Sequence, residues 1–222
     1  MNNLVLITSV INTPNTPLSY SKTRSVFTRE ERFQQTMKTI QSVKEKIPNH
    51  TIMIVECTDF TEEEKYYFEN ECDYVLNLWE RKELHPKIFG IGKALGEGTM
   101  TIEALKYIIE NKFNYDNLFK ICGRYWLNND FDYNAYNNNN MVFKKIEGNI
   151  NNIFTSFYKI SYDNTKILLN FLLQTESNMK RLIGYEVLFS HYLKYINYSN
   201  VKFIDKIGYE GAVTVCGSKY VG

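Results

Sequence analysis

The chain has 222 residues, enough for one domain with a full core or at most two small ones. A formal net charge of +1 supplies no broad field for nucleic acid or an anionic membrane, so any anion must be met by local placement of charge. Hydrophobic residues at 44% argue against disorder, and four widely spaced cysteines (Cys57, Cys72, Cys122, Cys216) suggest neither a zinc pair nor a disulfide framework. The cytoplasm is the expected compartment. The apolar run in MNNLVLITSV is too short for a signal peptide or a membrane span.

In chain order, LVLITSVI (4–11) is a β-branched run of the kind that forms a buried parallel strand. A long polar connection follows (12–27), then a helix over 28–47, opened by a Thr28–Glu31 capping-box spacing and closed by Pro48. TIMIVECT (51–58) reads as a second buried strand. Thr61 and Glu64 open a short acidic helix to about Glu71, and YVLNLW (74–79) reads as a third strand. A loop with Pro86 and glycines 90, 92, 96 and 98 leads to a helix over 101–112 and a fourth strand, NLFKICGRYW. This alternation predicts a mostly parallel sheet with helices on both faces. Beyond it come an Asn-rich turn (134–140), strands in MVFKKI and IFTSFYKI, helices near 163–175 and 184–196, and a last strand near VKFID.

In such sheets ligands bind beyond the carboxyl ends of the strands. Neither GxGxxG nor GxxxxGK[ST] follows the first strand, which disfavours a dinucleotide-binding Rossmann site and a P-loop ATPase. The first connection instead carries Tyr20, Lys22, Arg24 and Ser25, and reads either as a solvated surface loop or as a functional loop suited to a diphosphate. Lys93, in the glycine-rich segment ahead of a helix, is a second candidate anion contact, against a plain flexible turn. Lys120 inside a buried strand and Arg124 after Gly123 point either to an anion or to an internal ion pair with Glu56 or Glu97. Asp130-Phe131-Asp132 is formally a DxD that two carboxylates could offer to Mg²⁺ or Mn²⁺. Glu186 shares a helical stripe with Ser190 and Lys194, as solvent face or as a general base at a helix start.

LITSVI followed by SVFTREERFQQTMKTIQSVKEKIP, and later FKICGRYWL, resembles small GT-A type glycosyltransferases of large DNA viruses, phages and bacterial surface-polysaccharide clusters, over about residues 4–195. The resemblance implies a GT-A-like α/β fold in one glycosyltransferase domain, its nucleotide-sugar-binding half at about 1–126 and its acceptor-binding half at about 127–222. It implies transfer of a hexosyl or deoxyhexosyl group from a nucleoside-diphosphate sugar, UDP-linked, to a glycan hydroxyl, with Mn²⁺ or Mg²⁺ as the cofactor. Thr8 and Ser9 would then lie against the nucleoside, Glu56 near the base or ribose, and Arg24 and Lys93 beside the diphosphate. Tyr185-Glu186 resembles the acidic position that inverting members use as base. The chain departs from the family where Gly123-Arg124-Tyr125 stands in place of a DxD. Either Asp130 and Asp132 fold back to the site, or cations there replace the metal. A sugar nucleotidyltransferase and a non-catalytic carbohydrate-binding module are the alternatives.

Overall fold

The computed structural model describes residues 1–146, 148–196 and 200–222. Four strands, β1 (Asn3–Thr8), β2 (His50–Glu56), β3 (Tyr74–Asn77) and β4 (Asn117–Cys122), lie parallel in the order β3-β2-β1-β4. The sheet continues through β8 (Phe157–Ser161), antiparallel to β4, to β6 (Met141–Ile146) and β7 (Asn149–Ile153), with β9 (Val201–Ile204) parallel on β6. A second, three-stranded sheet pairs β5 (Tyr125–Leu127), β10 (Tyr209–Ala212) and β11 (Lys219–Val221). This is an α/β architecture around a mixed, mostly parallel sheet.

Side chains alternate across the strands and so divide the core between the two faces. Leu4, Leu6, Leu118 and Ile160 face one cluster under α4 (Lys93–Glu110), α5 (Tyr162–Lys180) and α6 (Tyr185–Tyr195). Val5, Ile7, Phe119 and Ile121 face the other, under α1 (Arg29–Lys46) and α2 (Glu62–Glu71). Both expected capping boxes form: Thr28 and Glu31 exchange bonds at α1, and Thr61 and Glu64 do so at α2.

Three local readings are corrected. The helix expected from residue 101 begins at Lys93, so Gly96 and Gly98 lie inside α4 and are not a turn. A Cβ on Gly96 would come 2.7 Å from the Ile88 carbonyl of α3 (His85–Ile88), and one on Gly98 would meet the Met179 side chain of α5. Close helix packing, not flexibility, accounts for these glycines. The fourth strand stops at Cys122 instead of running through Trp126. The chain reverses at Gly123, where a Cβ would sit 2.9 Å from Ser9 Cβ. It then runs back along α1, clasped by a ladder of hydroxyls: Thr36 donates to Gly123 O at 3.0 Å, Thr39 to Tyr125 O at 2.8 Å, and Ser42 accepts from Leu127 N at 2.9 Å. The β10–β11 hairpin near the C-terminus was not anticipated, because its sequence lacks a long apolar run.

Candidate functional site

A cleft of about 720 Å³, part of it open to solvent, lies at the carboxyl-end rim of the sheet between β1, β4 and the start of α4. Thr8 and Ser9 form its floor. Ser9 Oγ is 2.9 Å from Thr36 Oγ1, and Thr8 packs its hydroxyl toward Cys122. Four cationic side chains line the cleft: Arg24, Arg32, Lys93 and Arg124.

Each cation arrives from a different element. Arg24 straps the 12–27 loop down, donating to Thr16 O at 3.2 Å, Phe89 O at 2.8 Å and Gly90 O. Ser19 N donates to Ile91 O and Val26 N to Thr214 O, so the loop is bound at three places. Lys93 is exposed in the first turn of α4, whose N-cap, Gly92, supplies no side-chain acceptor to the free N–H groups there. Arg32 is buried on α1 and donates to Val10 O at 2.7 Å and to Ser25 Oγ at 3.3 Å. Burial, then the neighbouring Arg124, pull its guanidinium down to about 9, while Glu56 acts in the opposite sense. Arg124 follows the reversal at Gly123, and its Nε is buried with no hydrogen-bond partner among the described residues.

One acid, Glu97 of α4, shares the cleft, and it is committed. Strand alternation points Lys120 to the α4 face with Leu118 and Cys122. There the fully buried Lys120 Nζ pairs with Glu97 and donates to Thr155 O at 2.8 Å, 2.9 Å from Cys122 Sγ. Burial alone would lower the Lys120 ammonium, but Cys122 and Glu97 outweigh it and raise it. Burial would likewise raise the Glu97 carboxyl; Lys120, then Lys93, more than reverse that and hold it below the ordinary range. Lys120 is therefore half of a buried ion pair behind the cleft wall.

Other candidate residues lie elsewhere. Glu56 is fully buried and does not line the cleft. Its carboxylate accepts from Ile11 N (3.2 Å), Cys57 N (2.9 Å) and Thr58 Oγ1 (2.8 Å), closing the turn after β1. Burial dominates and pushes it up to about 7, against the bonds from Thr58 and Cys57. Glu186 stands half-buried in the first turn of α6, outside the cleft lining, within electrostatic reach of Tyr20. Tyr20 in turn feels Arg124, Arg24 and Glu97, so Glu186 belongs to the neighbourhood of the opening.

Asp130 and Asp132 do not fold back. After Gly123 the chain returns along α1 to the amino ends of the strands. There Tyr133 Oη, beside Asp132, accepts from Asn3 Nδ2 at 2.9 Å. From Asn3 to Thr8 is the length of β1, roughly 16 Å at ~3.3 Å per residue. Asp130 pairs with Lys206 at 2.8 Å, and Asp132 caps a 3-10 turn by accepting from Asn134 N. A divalent cation needs several oxygen donors. The cleft offers Glu97 alone among carboxylates, and no group of three or more His, Cys, Asp or Glu suited to a metal occurs among the described residues. The cleft residues do not fit a metal ion.

Arg32 was missed as a site residue because REERF reads as a charged helix start. A signal was present: Arg32, Thr36 and Ile40 recur four apart on one buried face.

No protein-family profile matches the chain, and no curated protein matches its sequence. Solved structures do match in fold. A glycosyltransferase involved in glycosylation of the major capsid of PBCV-1 superposes with a TM-score of 0.50 at 10% identity, over 92% of this chain and 82% of that one. The CTP:phosphocholine cytidylyltransferase LicC of Streptococcus pneumoniae gives 0.57 at 11% identity, over 97% and 95%. The glycosyltransferase GlyE of S. pneumoniae TIGR4 gives 0.54 at 10% identity, over 92% and 45%. The chain thus has the fold shared by GT-A glycosyltransferases and nucleotidyltransferases. Among the described residues, no helix is long and apolar enough to cross a membrane.

Proposed function

We propose that the protein transfers a sugar from a nucleoside-diphosphate sugar, UDP-linked, to a hydroxyl of a glycan acceptor. The observation that carries this reading is the convergence of Arg24, Arg32, Lys93 and Arg124 on one cleft with a helix N-terminus beside them. A diphosphate gains negative charge as its bond to the sugar breaks. Fixed cations and N–H groups stabilise that charge without reorganising. Arginine forks suit phosphate oxygens, and the buried, partnerless Arg124 Nε has a donor to offer. In this reading the cations do the work that a metal performs elsewhere.

Glu186 takes the acceptor hydroxyl's proton while the oxygen bonds to the anomeric carbon. The sugar–phosphate C–O bond breaks, and its electrons leave on the diphosphate. Glu186→Gln is expected to abolish transfer while leaving UDP affinity within about twofold in calorimetry. Wild-type turnover by this variant would remove Glu186 from the mechanism.

The fit to the cytidylyltransferase, end to end in both chains, favours nucleotidyl transfer as a second reading. Product analysis separates the two: glycosyl transfer releases UDP, and nucleotidyl transfer releases pyrophosphate from a nucleoside triphosphate and a sugar phosphate. Thermal shifts with nucleoside diphosphates and their sugars, with and without Mn²⁺, test the nucleotide class and the need for metal together.

A further inference from the structure

Three segments that each carry an exposed apolar side chain lie side by side at the cleft opening. Leu18 and Ser21 exchange backbone bonds (2.9 and 3.2 Å), which makes Ser19-Tyr20 the tip of a tight turn. Leu18 is buried against the cleft beneath it, and Tyr20, 63% exposed, stands outward. Ser19 N bonds to Ile91 O at 3.0 Å, which sets the 50% exposed Ile91 next to this tip. Leu182 lies on the other side, its Cδ2 3.0 Å from where a Cβ on Gly92 would be, and 46% exposed. Glu186, four residues on, stands in the first turn of α6, and with Glu97 it is one of two carboxylates within electrostatic reach of Tyr20.

Leu182 is the informative member. Helix α5 ends in a Schellman turn: Ile183 N bonds to Asn178 O (3.1 Å) and Leu182 N to Met179 O (3.0 Å). Leu182 fills the left-handed position of that turn at φ 66°, where glycine is the unstrained choice. The chain thus carries a strained backbone and a half-exposed leucine at a point where glycine would relieve both. The side chain packs one edge against Gly92 and leaves the rest open to a surface contact.

We propose that Tyr20, Ile91 and Leu182 form the platform for a pyranose ring of the acceptor, with Glu186 at its edge. A sugar ring has apolar C–H faces and a hydroxyl rim. An aromatic and aliphatic shelf bordered by one carboxylate matches that pattern, as a protein or lipid surface, needing a broader apolar area, does not. The inference extends the proposed glycosyl transfer, because it seats the acceptor hydroxyl between Glu186 and the phosphate-binding cleft. It stands apart from the donor chemistry, because sugar binding is measurable without it.

The test is saturation-transfer NMR with methyl glycosides of glucose, galactose and N-acetylglucosamine at millimolar concentration, with and without UDP. At least one glycoside is expected to saturate on the wild type. Tyr20→Ala is expected to weaken it at least tenfold, and Tyr20→Phe less than twofold, since the ring face makes the contact. Leu182→Gly is expected to weaken it while leaving the melting temperature equal or higher, which separates a binding role from a folding role. UDP affinity should stay unchanged in all three variants. No saturation by any glycoside, or binding that survives Tyr20→Ala and Leu182→Gly, overturns the platform. Platform-dependent sugar binding without UDP binding would keep the platform and refute the transferase reading.

Discussion

Removing the charge of Glu97 while keeping its shape tests how the cleft wall is held. Glu97→Gln leaves the Lys120 ammonium, 0% exposed, facing an amide, with Thr155 O and Cys122 as its other neighbours. Breaking a buried pair on one side costs about 3–5 kcal/mol. A ceiling follows from the lysine itself. If Lys120 sheds its proton to avoid the penalty, the cost at pH 7 is about 3.5 pKa units from its ordinary 10.5, or roughly 4.8 kcal/mol at 1.36 kcal/mol per unit. With an unfolding entropy of about 2.1 cal/mol/K per residue over 222 residues, a loss of 3–5 kcal/mol lowers the melting temperature by about 6–11 °C. The pH dependence carries the signature. In the wild type the Glu97 carboxyl is held low, so its contribution is present above about pH 4.5 and is lost as pH falls through the folded value. The deficit of Glu97→Gln relative to wild type therefore shrinks in acid. In the variant, an unpaired Lys120 is held below its unfolded value, so the variant regains stability as pH rises from 7 toward 10.5, and the wild type does not. Urea titrations at pH 4, 7 and 9.5 read both effects. A loss under about 1 kcal/mol at pH 7, with parallel pH profiles, would refute the buried-pair reasoning.

Arg124→Ala is expected to weaken UDP binding about 10- to 100-fold in calorimetry, the range for a charged hydrogen bond, and to shift the melting temperature little, since Arg124 Nε has no described partner to lose. Gly96→Ala drives a Cβ against the Ile88 backbone carbonyl and is expected to cost about 1–3 kcal/mol in urea unfolding, whereas Gly98→Ala meets the flexible Met179 side chain and costs less. Asp130→Ala and Asp132→Ala are expected to leave turnover within about twofold at every Mn²⁺ concentration, because both sit near the far end of β1; a tenfold loss would return them to the site. Glu56, raised to about 7, stabilises the fold fully below about pH 4.5 and loses that contribution as pH rises through 7. Glu56→Gln should therefore flatten the stability profile across this window, by about 3 kcal/mol.

The parallel half was legible because its signals are local. Continuous β-branched runs, two capping boxes and Pro48 mark elements whose boundaries the structure moves by only a few residues. The misreadings at the glycines have a different cause: they depended on contacts with other elements. Gly123 looks like an ordinary residue inside a strand until Ser9 and Thr36 are seen to leave no room for a side chain, and that contact turns the chain back. The reversal carries Asp130 and Asp132 toward the amino ends of the strands, away from the cleft. Gly96 and Gly98 carry no mark of helix interior; only Ile88 and Met179, packed against them, explain their place in α4. For the same reason Arg32 was not singled out, since its acceptor, Val10 O, is 22 residues away in the chain.

The arrangement also accounts for how a nearly neutral chain could hold a polyanion. Acidic residues are not scarce: α2 opens with Glu62, Glu63 and Glu64, and Glu64 pairs with Arg29 away from the cleft. At the cleft the acids are withdrawn from a ligand. Glu97 is neutralised by Lys120, and Glu56 is turned inward onto the turn it closes. Four cations remain whose mutual repulsion is felt most at Arg32, the most deeply buried of them. Like charges held close in a partly dry site are costly until an anion enters, and a buried donor without a partner adds about 1–3 kcal/mol more. On the proposed reading, a diphosphate bridging Arg32 and Arg124 would lower both costs together. Binding strength would thus come from strain relieved on entry as much as from contacts formed, and such a site, shielded from bulk salt, should lose less affinity between 50 and 500 mM NaCl than an exposed lysine patch of equal charge.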